Sequence, residues 1–221
     1  MKSLQGYFKY VGKKTFIDKY PPSIINLEDL YGKIFVEFGG GIGNDMNYLV
    51  SVLGLDPKDL YFIDSDKNAF KKAQRRLKPL FQPYDNHLLL LDILNLRLKK
   101  NSVDFVYANN FLHCLETKDK VKNSVRKGYE ILKDNGIFFG RTTKNYIDRE
   151  KLKKIEEKSE KSFAEEFIIL TTRAFEDSKL LSLSENELEK IAFNVGYKNV
   201  KIVPDRETWK PMKDIFFKLK K

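Results

Sequence analysis

Three glycines at alternate positions, Gly39, Gly41 and Gly43, separate an apolar run from an amphipathic one in Val36-Glu37-Phe38-Gly39-Gly40-Gly41-Ile42-Gly43-Asn44-Asp45. Residues without a side chain let the backbone turn tightly from a strand into a helix and come close to a ligand. The helix that follows contributes free N–H groups and the positive end of its dipole. Two phosphate cradles are excluded. A P-loop requires Gly-Lys-Ser/Thr, and none follows. The dinucleotide fingerprint requires a further glycine where this chain has Asn44 or, in the other register, Met46. What remains is an acid, Glu37, followed by Gly-x-Gly-x-Gly. Downstream, Asp64 with Asp66 ends one apolar run, Asp92 ends another, and His113 lies just past a third.

Those residues need a scaffold, and the hydrophobic pattern supplies one. Short apolar runs alternate with amphipathic stretches, which implies a parallel sheet with helices on both faces. Strands are predicted at 33–38, 60–64, 87–92, 103–108 and 137–141, and helices at 44–53, 67–77 and 118–132. Asp134-Asn135-Gly136 should stop the last of these helices. A charged helical stretch follows over 147–167, and Ser184-Glu185-Asn186-Glu187 has a capping-box pattern opening another helix. Two closing runs, 200–203 and 215–219, are joined by too short a segment for a covering helix, so they should pair antiparallel. Residues 1–30 form an N-terminal cap, expected to be helical, and 145–183 an insertion near the substrate; the chain has no internal repeat or dividing linker.

Composition bounds the function. In 221 residues, 42% hydrophobic and 13% aromatic content fills a core without disulfides or metal staples. No apolar run reaches the ~20 residues of a spanning helix, and residues 1–14 lack the apolar stretch of a signal peptide, so no membrane partner is expected. The single cysteine, Cys114, excludes an internal disulfide and a zinc site built on cysteine pairs; no metal is expected, and a cytoplasmic compartment is. The net charge of +10 is carried mostly by dispersed lysines, which fits either a solvated surface or an anion-binding face.

The segment Glu37-Phe38-Gly39-Gly40-Gly41-Ile42-Gly43 resembles motif I of the class I S-adenosylmethionine-dependent methyltransferases, and the resemblance extends over roughly 33–219. It implies a Rossmann-like α/β fold: a doubly wound, mostly parallel seven-stranded sheet with an antiparallel last strand. It also implies S-adenosylmethionine as cofactor. Asp64 takes the place of the carboxylate that holds the ribose hydroxyls, a sensible acceptor for two vicinal donors. Asp92 matches the acid that receives the adenine amino group, with Ile93 beside the ring. Glu37 matches the acid that orients the glycine loop or the methionine end. Gly39, Gly41, Gly43, Ser65 and Asn109 complete the implied cofactor set. The segment 103–115 resembles the fourth-strand motif with its leucine–histidine pair, Leu112-His113, and Leu132-Lys133-Asp134-Asn135-Gly136 resembles the turn before strand five, with Asn135 in place of a glycine.

Methyl transfer from a sulfonium needs in-line alignment and exclusion of water, and proximity supplies much of the rate. His113 is the candidate general base for an oxygen or protonated-amine nucleophile. The residues after strand four lack the Pro-Pro pair typical of base-amino methylation, and Cys114 lacks the Pro-Cys context of cytosine C5 chemistry. Aromatic and arginine side chains in the cap (Tyr7, Phe8, Tyr10, Phe16, Tyr20) and beyond strand five (Arg141, Phe163, Phe167, Arg173, Phe175) suit a planar or carboxylate-bearing molecule. The expected activity is methyl transfer to O, N or S of a small-molecule acceptor. The alternatives are an enzyme acting on RNA or protein, suggested by the lysine excess, and a non-catalytic cofactor-binding protein.

Overall fold

A computed structural model describes residues 17, 20–147, 153, 154, 156–160, 181, 183–204 and 212–221. Strands β1 (Phe35–Phe38), β2 (Leu60–Asp64), β3 (Leu88–Leu90), β4 (Val103–Asn109), β5 (Leu132–Ile147), β6 (Asn199–Pro204) and β7 (Met212–Lys220) alternate with helices α1 (Asn44–Ser51), α2 (Lys67–Leu77), α3 (Lys118–Ile131) and α4 (Glu185–Val195). The sheet has seven strands in the order β3-β2-β1-β4-β5-β7-β6. β7 runs antiparallel to both its neighbours, and the pairings from β3 to β5 are all parallel. The chain winds outward from β1 to β3, returns to β4 and winds the other way. This puts a topological switch point between β1 and β4, where open α/β sheets bind ligands at the carboxyl ends of their strands.

Both faces of the sheet are covered, so the inner strands read as continuous apolar runs instead of alternating ones. One face buries Phe35, Phe62, Tyr107 and Phe139 against α1, α2 and the segment carrying Ile17, Tyr20 and Ile24. The other buries Val36, Phe38, Val106 and Phe138 against α3 and α4. Tyr20 packs edge-on to Tyr107, Phe139 and Phe216 with centroids 5.7, 5.8 and 4.9 Å away. Such pairs add roughly 0.5–1.5 kcal/mol each beyond area burial. Local chemistry sets the helix starts. Asp66 caps α2 by accepting from the N–H groups of Asn68 and Ala69, and at α4 the capping box of Ser184 and Glu187 makes both its bonds.

Several boundaries differ from the sequence-based expectation, among them those of β1, β3 and β5. The third strand is Leu88–Leu90, because His87 ends a single 3-10 turn and stacks on Tyr61 with ring centroids 4.0 Å apart. β1 begins at Phe35 instead of Lys33, which is exposed. The fifth strand extends from Leu132, so α3 stops before Asp134-Asn135-Gly136; these residues form an irregularity within β5, where Asn135 has φ 66°. Space explains this placement: a Cβ on Gly136 would lie 2.9 Å from the carbonyl of Lys133 and 3.2 Å from that of Asp104. Of the cap, Ile17 and Tyr20 are buried, whereas Tyr7, Phe8, Tyr10 and Phe16 lie outside the described residues. Phe163, Phe167, Arg173 and Phe175 and most of the 145–183 segment lie outside them too, as does most of the charged stretch over 147–167. No helix among the described residues is long and apolar enough to cross a membrane.

Candidate cofactor and acceptor site

The glycine loop leaves β1 and enters α1 through three left-handed residues, Gly39 (φ 65°), Gly41 (φ 59°) and Gly43 (φ 75°), the last being the N-cap of α1. L-residues pay roughly 1–2 kcal/mol for that region. Two of these positions differ in what surrounds them. A Cβ at Gly39 would lie 2.3 Å from the Phe111 ring, so this glycine is required by packing. A Cβ at Gly41 would meet no protein atom within 4 Å, so this glycine borders open space. The loop is tied down from β2. The Gly41 N–H donates to Asp64 Oδ2 at 2.7 Å, the Asp66 N–H donates to Asp64 Oδ1 at 2.7 Å, and the Gly40 N–H donates to the Ile63 carbonyl. From α2, Arg76 donates to the Ile42 carbonyl at 3.4 Å and to the side chain of Asn44.

Asp64 is buried, and burial raises its pKa although the Asp66 and Gly41 amides oppose the shift. Each of its oxygens holds one backbone donor and keeps acceptor capacity for another. Glu37 is 2% exposed, and its Oε2 has no hydrogen-bond partner among the described residues. Burial, then the nearby Asp45 and Asp64 carboxylates, hold its pKa well above the ordinary range. Asn109 is half-buried, with its Oδ1 likewise unpartnered among those residues. Asp92 is exposed and accepts the Leu94 N–H at 2.9 Å, capping a short turn, while the Ile93 side chain packs into the core. Ser65 is exposed beside Asp64.

Strand alternation makes a polar row on one face of the sheet, since residues two apart point the same way. Glu37 of β1 lies opposite Tyr107 of β4, Asn109 opposite Arg141 of β5, and Thr143 opposite Asp214 of β7. Asp45, in the first turn of α1, closes the row from above. Its Oδ2 accepts from the Tyr107 hydroxyl at 2.8 Å and Asn109 Nδ2 at 3.1 Å, and its Oδ1 from the Ile17 N–H at 3.4 Å. Asp214 accepts from the Thr143 hydroxyl at 2.9 Å and lies 3.5 Å from Arg141 Nη1, with both charged residues buried.

His113 lies on the opposite face and is 6% exposed. Its Nδ1 accepts the Thr143 N–H at 3.3 Å and lies 3.3 Å from Thr142 Oγ1. An accepting Nδ1 places the neutral ring's proton on Nε2. Burial, then the Arg141 charge, push its pKa down to about 4, so the ring is neutral at pH 7. Cys114 is exposed, and its thiol contacts the Asn110 carbonyl at 3.2 Å.

These residues suit the cofactor that the glycine pattern implies. The open space at Gly41 admits a ligand against the loop backbone. The unpartnered oxygens of Glu37 and Asn109 and the acceptors of Asp64 match the ammonium and hydroxyl donors of a cationic nucleoside. Residues 36–138 match the family model of a methyltransferase domain. The strand order with its antiparallel β7 is that of the Rossmann-like methyltransferase fold.

Solved methyltransferases share the fold at low identity. The chain is similar to Haemonchus contortus phosphoethanolamine N-methyltransferase 2 in complex with phosphomonomethylethanolamine and S-adenosylhomocysteine (16% identity, TM-score 0.61, 86% of this chain and 49% of that one). It is also similar to a Thermotoga maritima S-adenosylmethionine-dependent methyltransferase described as a possible histamine N-methyltransferase (17%, 0.58, 100% and 97%). A third is the Streptomyces coelicolor geranyl diphosphate C-methyltransferase (12%, 0.58, 88% and 76%). The chain thus spans about half the length of the Haemonchus enzyme. No curated protein matches the sequence.

Asp45, Tyr107, Arg76 and Asp214 join the site only through the tertiary structure. Asp45 carried a usable signal, an acid in the first turn of a helix, where the dipole favours it. Asp214 carried none, because its partners are set by the β5–β7 register.

Proposed function

We propose that this protein is a methyltransferase that transfers the methyl group of S-adenosylmethionine to an O, N or S atom of a small molecule. The observation that carries the reading is the polar row from Glu37 to Asp214, which runs from the glycine loop along the carboxyl edge of β4 and β5. A cofactor seated at Gly41 needs the loop end of that row, and the buried network of Arg141, Thr143 and Asp214 would back the acceptor's side of the site. Asp64 and Ser65 would hold the ribose, Glu37 and Asn109 the methionine end, and Asp92 with Ile93 the adenine. The sulfonium supplies an electrophilic methyl whose departure leaves a neutral thioether. The protein's part is then to orient the acceptor in line and keep water out. The small-molecule class is supported by the related enzymes named for phosphoethanolamine and geranyl diphosphate. A cytoplasmic setting belongs to the same proposal.

The general-base role expected of His113 meets two opposing observations, a pKa of about 4 and a ring lone pair used by the Thr143 amide. We assign it a positioning role, fastening the turn after β4 to β5. Alignment then carries the rate.

The test is transfer of label from S-adenosylmethionine to a panel of small amines, alcohols and thiols, alongside dialysis against S-adenosylhomocysteine and NADH. Retention of S-adenosylhomocysteine with label in a small product is expected. Retention of NADH alone would sink the reading.

A further inference from the structure

Several lysines of this protein pair with a nearby acid. Lys118 pairs with Glu187, Lys120 with Glu116, Lys127 with Glu130, and Lys133 with Asp104. Helix α2 instead gathers cations in succession without acids. Its sequence, Lys67-Asn-Ala-Phe-Lys-Lys-Ala-Gln-Arg-Arg-Leu77, contains no acid, and none follows it until Asp85. Lys67, Lys71, Arg75 and Lys78 are exposed and make no ion pair among the described residues. Like charges at i,i+3 and i,i+4 repel one another and destabilise the helix that carries them. Lys67–Lys71, Lys71–Arg75 and Arg75–Lys78 are three such pairs in succession. Beside them lies a groove of about 530 Å³ lined by Lys71, Gln74, Arg75, Lys78, Pro79 and Gln82.

We propose that the outer face of α2 and this groove dock the phosphate backbone of a single-stranded nucleic acid. The cations span about 16 Å at the helical rise, a length that meets several consecutive phosphates. The Gln74 and Gln82 amides add donors for phosphate and sugar oxygens. A concave groove accepts a strand. A membrane surface would need apolar side chains to insert, but Phe70, Ala73 and Leu77 are buried in the core. The surface is separate from the residues assigned to methyl transfer, so the proposal does not depend on the acceptor's identity.

The test is fluorescence anisotropy of the full chain with a 12-residue oligouridylate over a series of KCl concentrations. Four phosphate contacts to a single strand give log K a slope against log[KCl] of about −3. The variant Lys67→Gln/Lys71→Gln/Arg75→Gln/Lys78→Gln should bind at least tenfold more weakly with a flattened slope. Lys99→Gln/Lys100→Gln, altering two exposed lysines elsewhere, should match the wild type. Thermal melting establishes that the variants are folded. Should the fourfold variant unfold, Arg75→Gln alone decides, with a slope shallower by about 0.7. The proposal is overturned by no binding of the oligonucleotide to the wild type, by equal losses in the Lys99/Lys100 control, or by binding to phosphatidylserine vesicles but not to the oligonucleotide.

Discussion

The two halves of the polar row are built differently. At the β1–β2 end, short segments do the work: the glycine loop is bound by Asp64, and the groups that face its open side, such as Glu37 Oε2, are left with unfilled capacity. At the β5–β7 end, polar side chains from different strands engage one another. Thr143 and Arg141 meet Asp214 across 71 and 73 residues of chain and are buried with it. The first half is a backbone turn with open space beside Gly41. The second is a packed network whose integrity depends on the sheet. Substitutions at the first should therefore change ligand binding, and substitutions at the second should change stability.

The largest effect is expected at the network end. Asp214→Ala removes the carboxylate 3.5 Å from the buried Arg141 guanidinium, and breaking a buried pair costs about 3–5 kcal/mol, measurable by denaturant unfolding. Next comes a contrast within the glycine loop. Gly39→Val combines left-handed strain with a clash on Phe111 and should cost about 2–4 kcal/mol of stability. Gly41→Ala should cost only the strain, about 1–2 kcal/mol, yet abolish S-adenosylhomocysteine binding by calorimetry, because its methyl enters the open space. If both variants lose stability and keep affinity, the loop belongs to the packed half and the contrast fails.

Asp64→Ala should weaken S-adenosylhomocysteine by about 1–3 kcal/mol if its carboxylate holds the ribose. Unchanged affinity would restrict Asp64 to tying down the loop. The smallest effect is a pH dependence. Unfolded, His113 takes a proton at its ordinary pKa of 6.5, and folded only at about 4. The unfolded state binds more protons between those values, so stability falls as pH is lowered through this window. The loss from pH 6.5 to 5 is about 1.5 kcal/mol, and the difference between wild type and His113→Asn in urea melts isolates it. Full turnover by that variant would agree with a positioning role.

What could be read before the fold was known follows the same division. The glycine spacing, the strand-end acid Asp64 and the Ser184 capping box are short-range signals, and each lies in the expected element, whereas Asp92 falls past the end of β3 as the cap of a short turn. The reversed final strand was legible because so short a connection forbids a crossover helix. The extension of β5 back to Leu132 was not, because Asp134-Asn135-Gly136 has the composition of a turn, and the close approach of Gly136 to Asp104 exists only once β4 lies alongside.

By itself, the sequence determined the order of strands and helices and the loop that can approach a ligand, because both follow from hydrophobic period and glycine placement over a few residues. Tertiary structure alone decided which polar groups end buried and with whom. Asp45 bonded to Tyr107, Arg141 beside Asp214 and the neutral His113 all depend on segments distant in the chain being packed together. Burial and partner distance are properties of that packing, and they fix whether a carboxylate binds a ligand or a neighbour.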